Sequence, residues 1–249
     1  RFTVAPGQQW TFTPDAGCTP VEGFDWSVVD DSGALNDRGI AYAAKGNTDR
    51  AIQDYDRAIL LDPRDAFAYN NRGVAYRNRG EVDRAIKDFD QALLLNANYV
   101  LAYYNRGNAY YDKRDFDRAI RNYDQAVSLD NGYALAYYDR GVSYFQKREY
   151  DKALADLTLA IKLDPKDALS YYNRGVTYAA RGDADRAIAD FDQSLRIDPK
   201  NALAFYNRGL ALRIKGEEER AIADLSQAVK FDPKNALGYY NRGIAYRHR

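Results

Sequence analysis

Hydrophobic positions along this chain recur with the spacing of amphipathic helices rather than strands. From residue 32 onwards, small and aromatic residues return three and four positions apart, in blocks separated by short polar breaks. Because an α-helix turns by about 100° per residue, residues at that spacing share one helix face. The breaks contain Gly, Asn or Asp, residues that end and begin helices. The pattern predicts an all-α chain built from pairs of helices.

The helix pairs repeat with a period of 34 residues. A column of glycines shows the register: Gly39, Gly73, Gly107, Gly141, Gly175, Gly209 and Gly243. The pattern predicts six full repeats, 32–65, 66–99, 100–133, 134–167, 168–201 and 202–235, followed by one extra helix in a half repeat, 236–249. We number each repeat so that its column glycine is position 8. Asn47, Asp115 and Asp183 are then predicted to cap the second helix of their repeats.

Residues 1–31 differ sharply from the repeats in composition. They contain both Trp residues, the single Cys and three of the seven Pro residues, but no Tyr or Lys. Their short alternating stretches are typical of extended or irregular structure. We therefore predict a non-repeat N-terminal segment, 1–31, and a repeat array, 32–249. The segment either covers the apolar end of the first repeat or occupies a groove of the array, in its own molecule or in a neighbouring one.

Composition limits the chemistry that the chain can perform. The 36 basic and 36 acidic residues balance, so no overall field attracts nucleic acid, and nucleic-acid binding is disfavoured. One Cys and one His are too few for a disulfide framework, a Cys/His zinc site or most His-dependent catalysis. No apolar run approaches the ~20 residues that span a bilayer. We expect no enzyme activity, no cofactor, no metal and no membrane insertion.

The repeat resembles the tetratricopeptide repeat, whose pattern has an aromatic residue at position 4, Gly at 8, Tyr at 11, Ala at 20, an aromatic residue at 24, Ala at 27 and Pro at 32. The resemblance covers residues 32–249 and implies a right-handed α-solenoid, a superhelix of antiparallel helix pairs. The YYNRG motif of its repeats is similar to that of bacterial arrays, which implies a soluble protein of the bacterial cytoplasm or periplasm. One departure is Arg at position 7 in place of Leu: Arg38, Arg72, Arg106, Arg140, Arg174, Arg208 and Arg242. We expect these arginines to form salt bridges with acids of the second helices and to stack on Tyr rings.

In the tetratricopeptide family, positions 2, 5, 6, 9, 12 and 13 of the first helix line a concave groove. Position 6 is Asp37 and Asp139 in two units and Asn in five: Asn71, Asn105, Asn173, Asn207 and Asn241. A carboxamide both donates and accepts, so such a column can bond the backbone of an extended peptide. It resembles the asparagine ladder in the tetratricopeptide region of the nucleocytoplasmic O-linked N-acetylglucosamine transferase. The alternative is that each Asn bonds a neighbouring helix.

Further candidate binding residues lie on the same face. Position 5 is a row of rings in the later repeats, Tyr104, Tyr138, Tyr172 and Tyr206, which offer a large contact area with few rotors. These rings either contact a ligand or pack on the next repeat, whereas the rings at position 4 are predicted to be core. Residues that vary between units are candidates for specificity: Arg77, Asn108, Tyr111 and Arg213. The Lys and Asn pattern of the chaperone-binding carboxylate clamp is absent, which disfavours chaperone tails as partners.

The resemblance implies a non-catalytic protein–protein interaction scaffold that binds an extended or helical peptide segment in its concave groove. Two alternatives remain open. One is a scaffold that self-assembles through open array ends, and the other is a binder of glycans or single-stranded nucleic acid that uses the Tyr row. The last helix keeps Tyr239, Gly243 and Tyr246 at core positions. We therefore expect the natural protein to continue beyond Arg249.

Overall fold

The computed structural model describes residues 31–248, and within that range it contains thirteen α-helices and no strand. The helices are α1 Ser32–Ala44, α2 Thr48–Leu61, α3 Ala66–Asn78, α4 Val82–Leu95, α5 Val100–Asp112, α6 Phe116–Leu129, α7 Ala134–Gln146, α8 Tyr150–Leu163, α9 Ala168–Ala180, α10 Ala184–Ile197, α11 Ala202–Ile214, α12 Glu218–Phe231 and α13 Ala236–His248. The prediction of an all-α array of six helix pairs and one extra helix is confirmed. The predicted irregular segment lies outside the described residues, except for Asp31.

Helix contacts show how the array curves. Each helix packs on its neighbours in the chain, as in α1 with α2 and α2 with α3. The first helices of successive repeats also contact one another, from α1 with α3 through to α11 with α13, whereas the second helices of residues 31–248 do not. Because the first helices lie closer together, they line the concave side of the stack. Positions 2, 5, 6, 9, 12 and 13 of the first helices therefore belong to the inner face.

Short polar side chains set where the second helices begin. Asn47, Asp115 and Asp183 each accept a hydrogen bond from a backbone N–H three residues later, at 3.0 to 3.3 Å. These bonds satisfy backbone donors that a helix start leaves without an intrahelical partner, so the three predicted caps are confirmed. The turn before each cap contains one residue with positive φ, such as Gly182 at 81°. Arg114 takes that conformation in the third repeat, at 59°.

The core of each repeat forms between the small residues of both helices and one large side chain. The side chains at positions 20 and 24 of the second helix are at most 2% exposed: Ala51, Tyr55, Ala85, Phe89, Ala119, Tyr123, Ala153, Leu157, Ala187, Phe191, Ala221 and Leu225. The prediction that the rings at position 4 are also core holds only in part. Tyr69, Tyr103 and Tyr137 pack against buried clusters of the core but are themselves only half-buried. The large side chain at position 24 already fills the space between the helices.

The Arg column explains why the rings at position 4 stay near the surface. Position 7 lies three residues further along the same helix, so its guanidinium covers the ring, as in Arg140 over Tyr137 at 5.3 Å. Arg140 also donates two hydrogen bonds to Asp156 in its own repeat and one to Asp124 in the preceding repeat, each at 2.7 Å. Arg72 and Arg208 repeat this arrangement. The predicted salt bridges and stacking are confirmed, and these guanidinium groups tie adjacent repeats together.

Ser194 offers a direct test of packing at position 27. Other repeats have Ala at this position, and the buried Ser194 hydroxyl has no hydrogen-bond partner among residues 31–248. We expect Ser194→Ala to raise the free energy of unfolding by about 1 kcal/mol, because a buried polar group without a partner is destabilising. Urea unfolding measures the change. The control is Ser143→Ala, because the equally buried Ser143 hydroxyl donates to the Asp139 carbonyl at 2.7 Å. An equal gain in both variants would contradict the explanation.

Candidate functional site

Hydrogen bonds between adjacent repeats organise the inner face. The Nδ2 of Asn173 donates to the Tyr138 hydroxyl oxygen at 2.9 Å, and Asn207 donates to Tyr172 at the same distance. Asn241 donates to Tyr206 at 3.1 Å. In every case position 6 of one repeat bonds position 5 of the preceding repeat. We call this series the inter-repeat ladder.

The first repeats form the same ladder with Asn in place of Tyr at position 5. Asn71 donates to the Asn36 Oδ1 and Asn105 to the Asn70 Oδ1, both at 2.9 Å. Of the two interpretations of the Asn column, bonding to a neighbouring helix accounts for these Nδ2 donors. Among residues 31–248, the structure shows no protein donor to the Oδ1 of Asn105, Asn173 or Asn207. These half-buried oxygens are the groups in the column that can still accept a hydrogen bond from a ligand.

The Tyr row is partly exposed and fixed in position. Tyr104, Tyr138, Tyr172 and Tyr206 are half-buried, as expected for side chains that edge a groove. Burial raises the pKa of Tyr138 to about 12, so its hydroxyl stays protonated at neutral pH. Each phenol is held by the inter-repeat ladder, and Tyr104 also packs edge to face on Tyr133 at 5.0 Å. These rings offer a rigid surface to a ligand.

The fourth repeat has Asp139 at the ladder position that Asn occupies in the following repeats. A carboxylate can only accept, and here the Tyr104 hydroxyl donates to the Asp139 Oδ2 at 2.7 Å, which reverses the donor direction seen at Asn173. Burial raises the pKa of the Asp139 carboxyl from 3.8 to about 6, against the opposing effects of the Tyr104 hydrogen bond and the Arg77 charge. Asp139 is therefore ionised at neutral pH in a partly buried position.

Three other predicted site residues lie in the same part of the groove. Arg77 forms a two-point ion pair with Asp112 of the next repeat, at 2.6 and 3.1 Å. The Asn108 Oδ1 accepts from the hydroxyl of the buried Tyr123 at 2.7 Å, and burial raises the pKa of Tyr111 above its ordinary value. The structure thus brings Arg77, Asn108 and Tyr111 together beside Asp139.

Arg213 lies apart from that group, two repeats further along the array. Its Nη1 donates to the Asn241 Oδ1 at 2.8 Å, and its buried Nε has no partner among the described residues. Of the candidate residues that vary between repeats, three therefore surround the acidic Asp139 near the centre of the groove, and the fourth, Arg213, lies towards α13. This separation depends on the repeat stacking.

Sequence reasoning missed a row of apolar side chains at position 2, on one edge of the inner face. We call it the apolar row, and its members are 46 to 62% exposed: Phe67, Leu101, Leu135, Leu169, Leu203 and Leu237. The signal was present, since six consecutive units have a large apolar residue at a position predicted to face the groove. Large exposed apolar patches are typical of interaction surfaces. Asp139 was also missed, although it is an exception in the Asn column.

A curved stack of repeated helix pairs is typical of a helical-repeat protein. Models of the tetratricopeptide repeat match residues 66–99, 104–168, 142–204 and 191–223, and a further TPR repeat model matches 39–78 and 209–247. The chain belongs to the tetratricopeptide repeat family. This fold suggests a protein–protein interaction scaffold.

Solved structures of other helical-repeat proteins resemble this chain. YrrB, described as a TPR protein with an unusual peptide-binding site, is 27% identical with a TM-score of 0.65, over 76% of this chain and 97% of YrrB. MamA is 30% identical with a TM-score of 0.62, over 69% of this chain and 93% of MamA. PilF of Pseudomonas aeruginosa is 17% identical with a TM-score of 0.77, over 86% and 96% of the two chains, and shows the fold alone. No curated protein matches the chain.

Two other properties of residues 31–248 bear on function. None of their helices has the length and apolar character needed to cross a membrane. The same residues contain no group of three or more His, Cys, Asp or Glu side chains placed to hold a metal ion.

Proposed function

We propose that this protein is a non-catalytic interaction scaffold that binds an extended peptide segment along its concave groove. The observation that supports this most directly is the pairing of two parallel features on the inner face. The inter-repeat ladder presents fixed polar groups, and the apolar row presents exposed hydrophobic side chains. Together they supply the polar and apolar contacts that a peptide site needs.

The spacing of these features fits an extended chain. Packed helices lie about 8 to 10 Å apart, and an extended peptide rises by about 3.3 Å per residue. One repeat therefore corresponds to roughly three peptide residues. Backbone N–H groups of the peptide would donate to oxygens such as the Asn105 and Asn173 Oδ1, while about every third side chain meets the apolar row. The likeness to YrrB, which has a peptide-binding site, supports this proposal.

Selection of a random peptide library on the full chain tests the proposal. We expect the selection to enrich peptides. The double variant Leu135→Ser with Leu169→Ser should bind these peptides at least tenfold more weakly, because each substitution removes apolar area that the bound peptide would cover, worth about 1 kcal/mol or more. The matched control is Leu60→Ser with Leu94→Ser, which changes leucines that are 79% and 78% exposed on the second helices. An equal loss of peptide binding in both double variants, or no enrichment at all, would contradict the groove proposal.

The same selection separates two further ideas about the groove. A triple variant, Asn105→Ala with Asn173→Ala and Asn207→Ala, removes both the Oδ1 acceptors and ladder bonds. Weaker binding together with an unchanged circular dichroism spectrum supports contact between the ladder and the peptide. If residues 1–31 occupy the groove as the ligand, a synthetic peptide of that sequence competes with the selected peptides.

A second candidate function is self-assembly through the end of the array. The α13 helix exposes large side chains: Leu237 at 62%, Tyr239 at 45%, Tyr240 at 65% and Tyr246 at 55%. Such a patch can bury itself against another copy in a head-to-tail stack. A mass that rises with concentration in light scattering supports this function, and a constant monomer mass contradicts it.

A further inference from the structure

Asp139 suits its position in the inter-repeat ladder less well than the Asn that most other repeats have there. Asn173 and Asn207, at position 6 of the next two repeats, donate to the Tyr of the preceding repeat. An Asn in place of Asp139 would donate to Tyr104 in the same way. It would also remove a charge from a partly buried site, where an ionised group is disfavoured. A residue that works against the stability of its own repeat is a candidate for function.

We propose that Asp139 is a specificity-determining residue that binds a positively charged side chain, Lys or Arg, of the peptide in the groove. This inference rests on the proposed function and deepens it, because it names the chemistry that one point of the groove selects. The partner is an extended segment with a basic residue opposite the fourth repeat.

No cation among residues 31–248 forms a direct ion pair with Asp139. The Tyr104 hydroxyl occupies its Oδ2, and no donor among residues 31–248 occupies its Oδ1. Arg77 is the cation that acts on Asp139, but it forms a two-point ion pair with Asp112. That pair has no net charge, so the negative charge of Asp139 remains. An ammonium or guanidinium from a ligand would neutralise this charge and donate a hydrogen bond to the open Oδ1.

The other groups that face Asp139 do not supply a cation. They are Tyr104 and Tyr111 from α5, Tyr123 from α6, Tyr133 and Tyr138 from its own helix region, and Asp167 from the N-terminus of α9. The five phenols are neutral at neutral pH, and Asp167 adds negative charge. These side chains also exclude water from one side of the carboxylate, which strengthens its attraction for a ligand cation.

A comparison of selected peptides tests the assignment. The full chain, Asp139→Asn and Asp37→Asn are each used to select from one random peptide library at pH 7.5. Asp37 is the matched control, since it also stands at position 6 but is exposed in the first repeat. We expect peptides from the unaltered protein and from Asp37→Asn to share a Lys or Arg at one site. Peptides from Asp139→Asn should lack that preference.

Two binding measurements complete the test. For one selected peptide, Asp139→Asn should weaken binding at least tenfold, yet leave binding of the same peptide with Gln in place of its basic residue unchanged. Binding of the basic peptide to the unaltered protein should weaken at pH 5, where Asp139 gains a proton, and the Gln peptide should show no such change. Enrichment by Asp139→Asn of the same basic peptides, or enrichment without any basic site, would overturn this inference alone. No enrichment by any of the three proteins would overturn the proposed function and this inference with it.

Discussion

Gly107→Ala is expected to lower the free energy of unfolding by about 2 to 3 kcal/mol. A Cβ at this position would lie 2.6 Å from Cε1 and 2.8 Å from Cδ1 of the Tyr123 ring. The ring is fully buried, and its hydroxyl donates to the Asn108 Oδ1 at 2.7 Å, so it cannot move away without losing that bond. The overlap outweighs the gain of about 1 kcal/mol that Ala normally brings to a helix interior. Urea unfolding, followed by circular dichroism, measures the loss.

The extra helix supplies the control for this experiment. Gly243 occupies the same position in α13, but a Cβ there would meet no atom of the described residues within 4 Å. We expect Gly243→Ala to be neutral or to stabilise the array by up to about 1 kcal/mol. Gly107→Ala should also be less damaging in a Tyr123→Leu background, because Leu lacks the ring atoms that the new methyl would meet. Equal losses for Gly107→Ala and Gly243→Ala would show that ring contact is not the cause.

Asp139→Asn is expected to stabilise the protein by about 2 kcal/mol above pH 6. The folded protein raises the pKa of the Asp139 carboxyl from 3.8 to about 6 by burial, so ionisation is harder in the folded than in the unfolded chain. A shift of about two units corresponds to roughly 3 kcal/mol, and partial solvent exposure of the side chain reduces the effect. The Asn variant escapes this penalty and can donate to Tyr104.

The sign of the pH dependence follows from linkage. Because the pKa is raised in the folded state, the contribution of Asp139 to stability is fully present below about pH 4 and is lost as the pH rises through 6. The advantage of Asp139→Asn should therefore be small at pH 4, grow between pH 4 and 6, and stay constant above that. Unfolding curves at several pH values measure it. A variant that is less stable than the unaltered protein at pH 7.5 would contradict this account.

For Asp139→Asn, we expect opposite effects on stability and on peptide selection. Asp139→Asn should gain stability and lose preference for a basic peptide residue. A residue whose role is purely structural would lose stability when replaced. Measuring both quantities on the same preparation therefore distinguishes a binding role of Asp139 from a packing role.

Much of the fold was predictable because its determinants are local or periodic. The glycine column fixed the 34-residue period, and capping residues such as Asn47 marked where helices begin. The ion pairs of the Arg column were also predictable, since position 7 and the acids on the second helix recur in every unit. Repetition helped, because each unit packs on copies of itself.

The failures arose where several side chains compete for one space. Positions 4 and 24 are both aromatic in many units. Only the packed structure shows that the side chain at position 24 fills the core, while Tyr103 and Tyr137 stay half-buried under an Arg. Likewise, the Asn column was equally compatible with binding a ligand or binding the next repeat. The structure shows that its donors bond the neighbouring repeat.

The sequence by itself determined the repeat, the helix pairs and the inner face of the array, because each depends on the order and period of residues along the chain. Only the tertiary structure decided what the inner-face side chains do. Asp139 and Tyr104 are 35 residues apart in the sequence, and Arg77 meets Asp112 across the same separation. Such pairs depend on how one repeat stacks on the next, and hydrogen bonds form over a range of less than 1 Å. The period places two residues on one face, but the stacking sets whether their atoms meet.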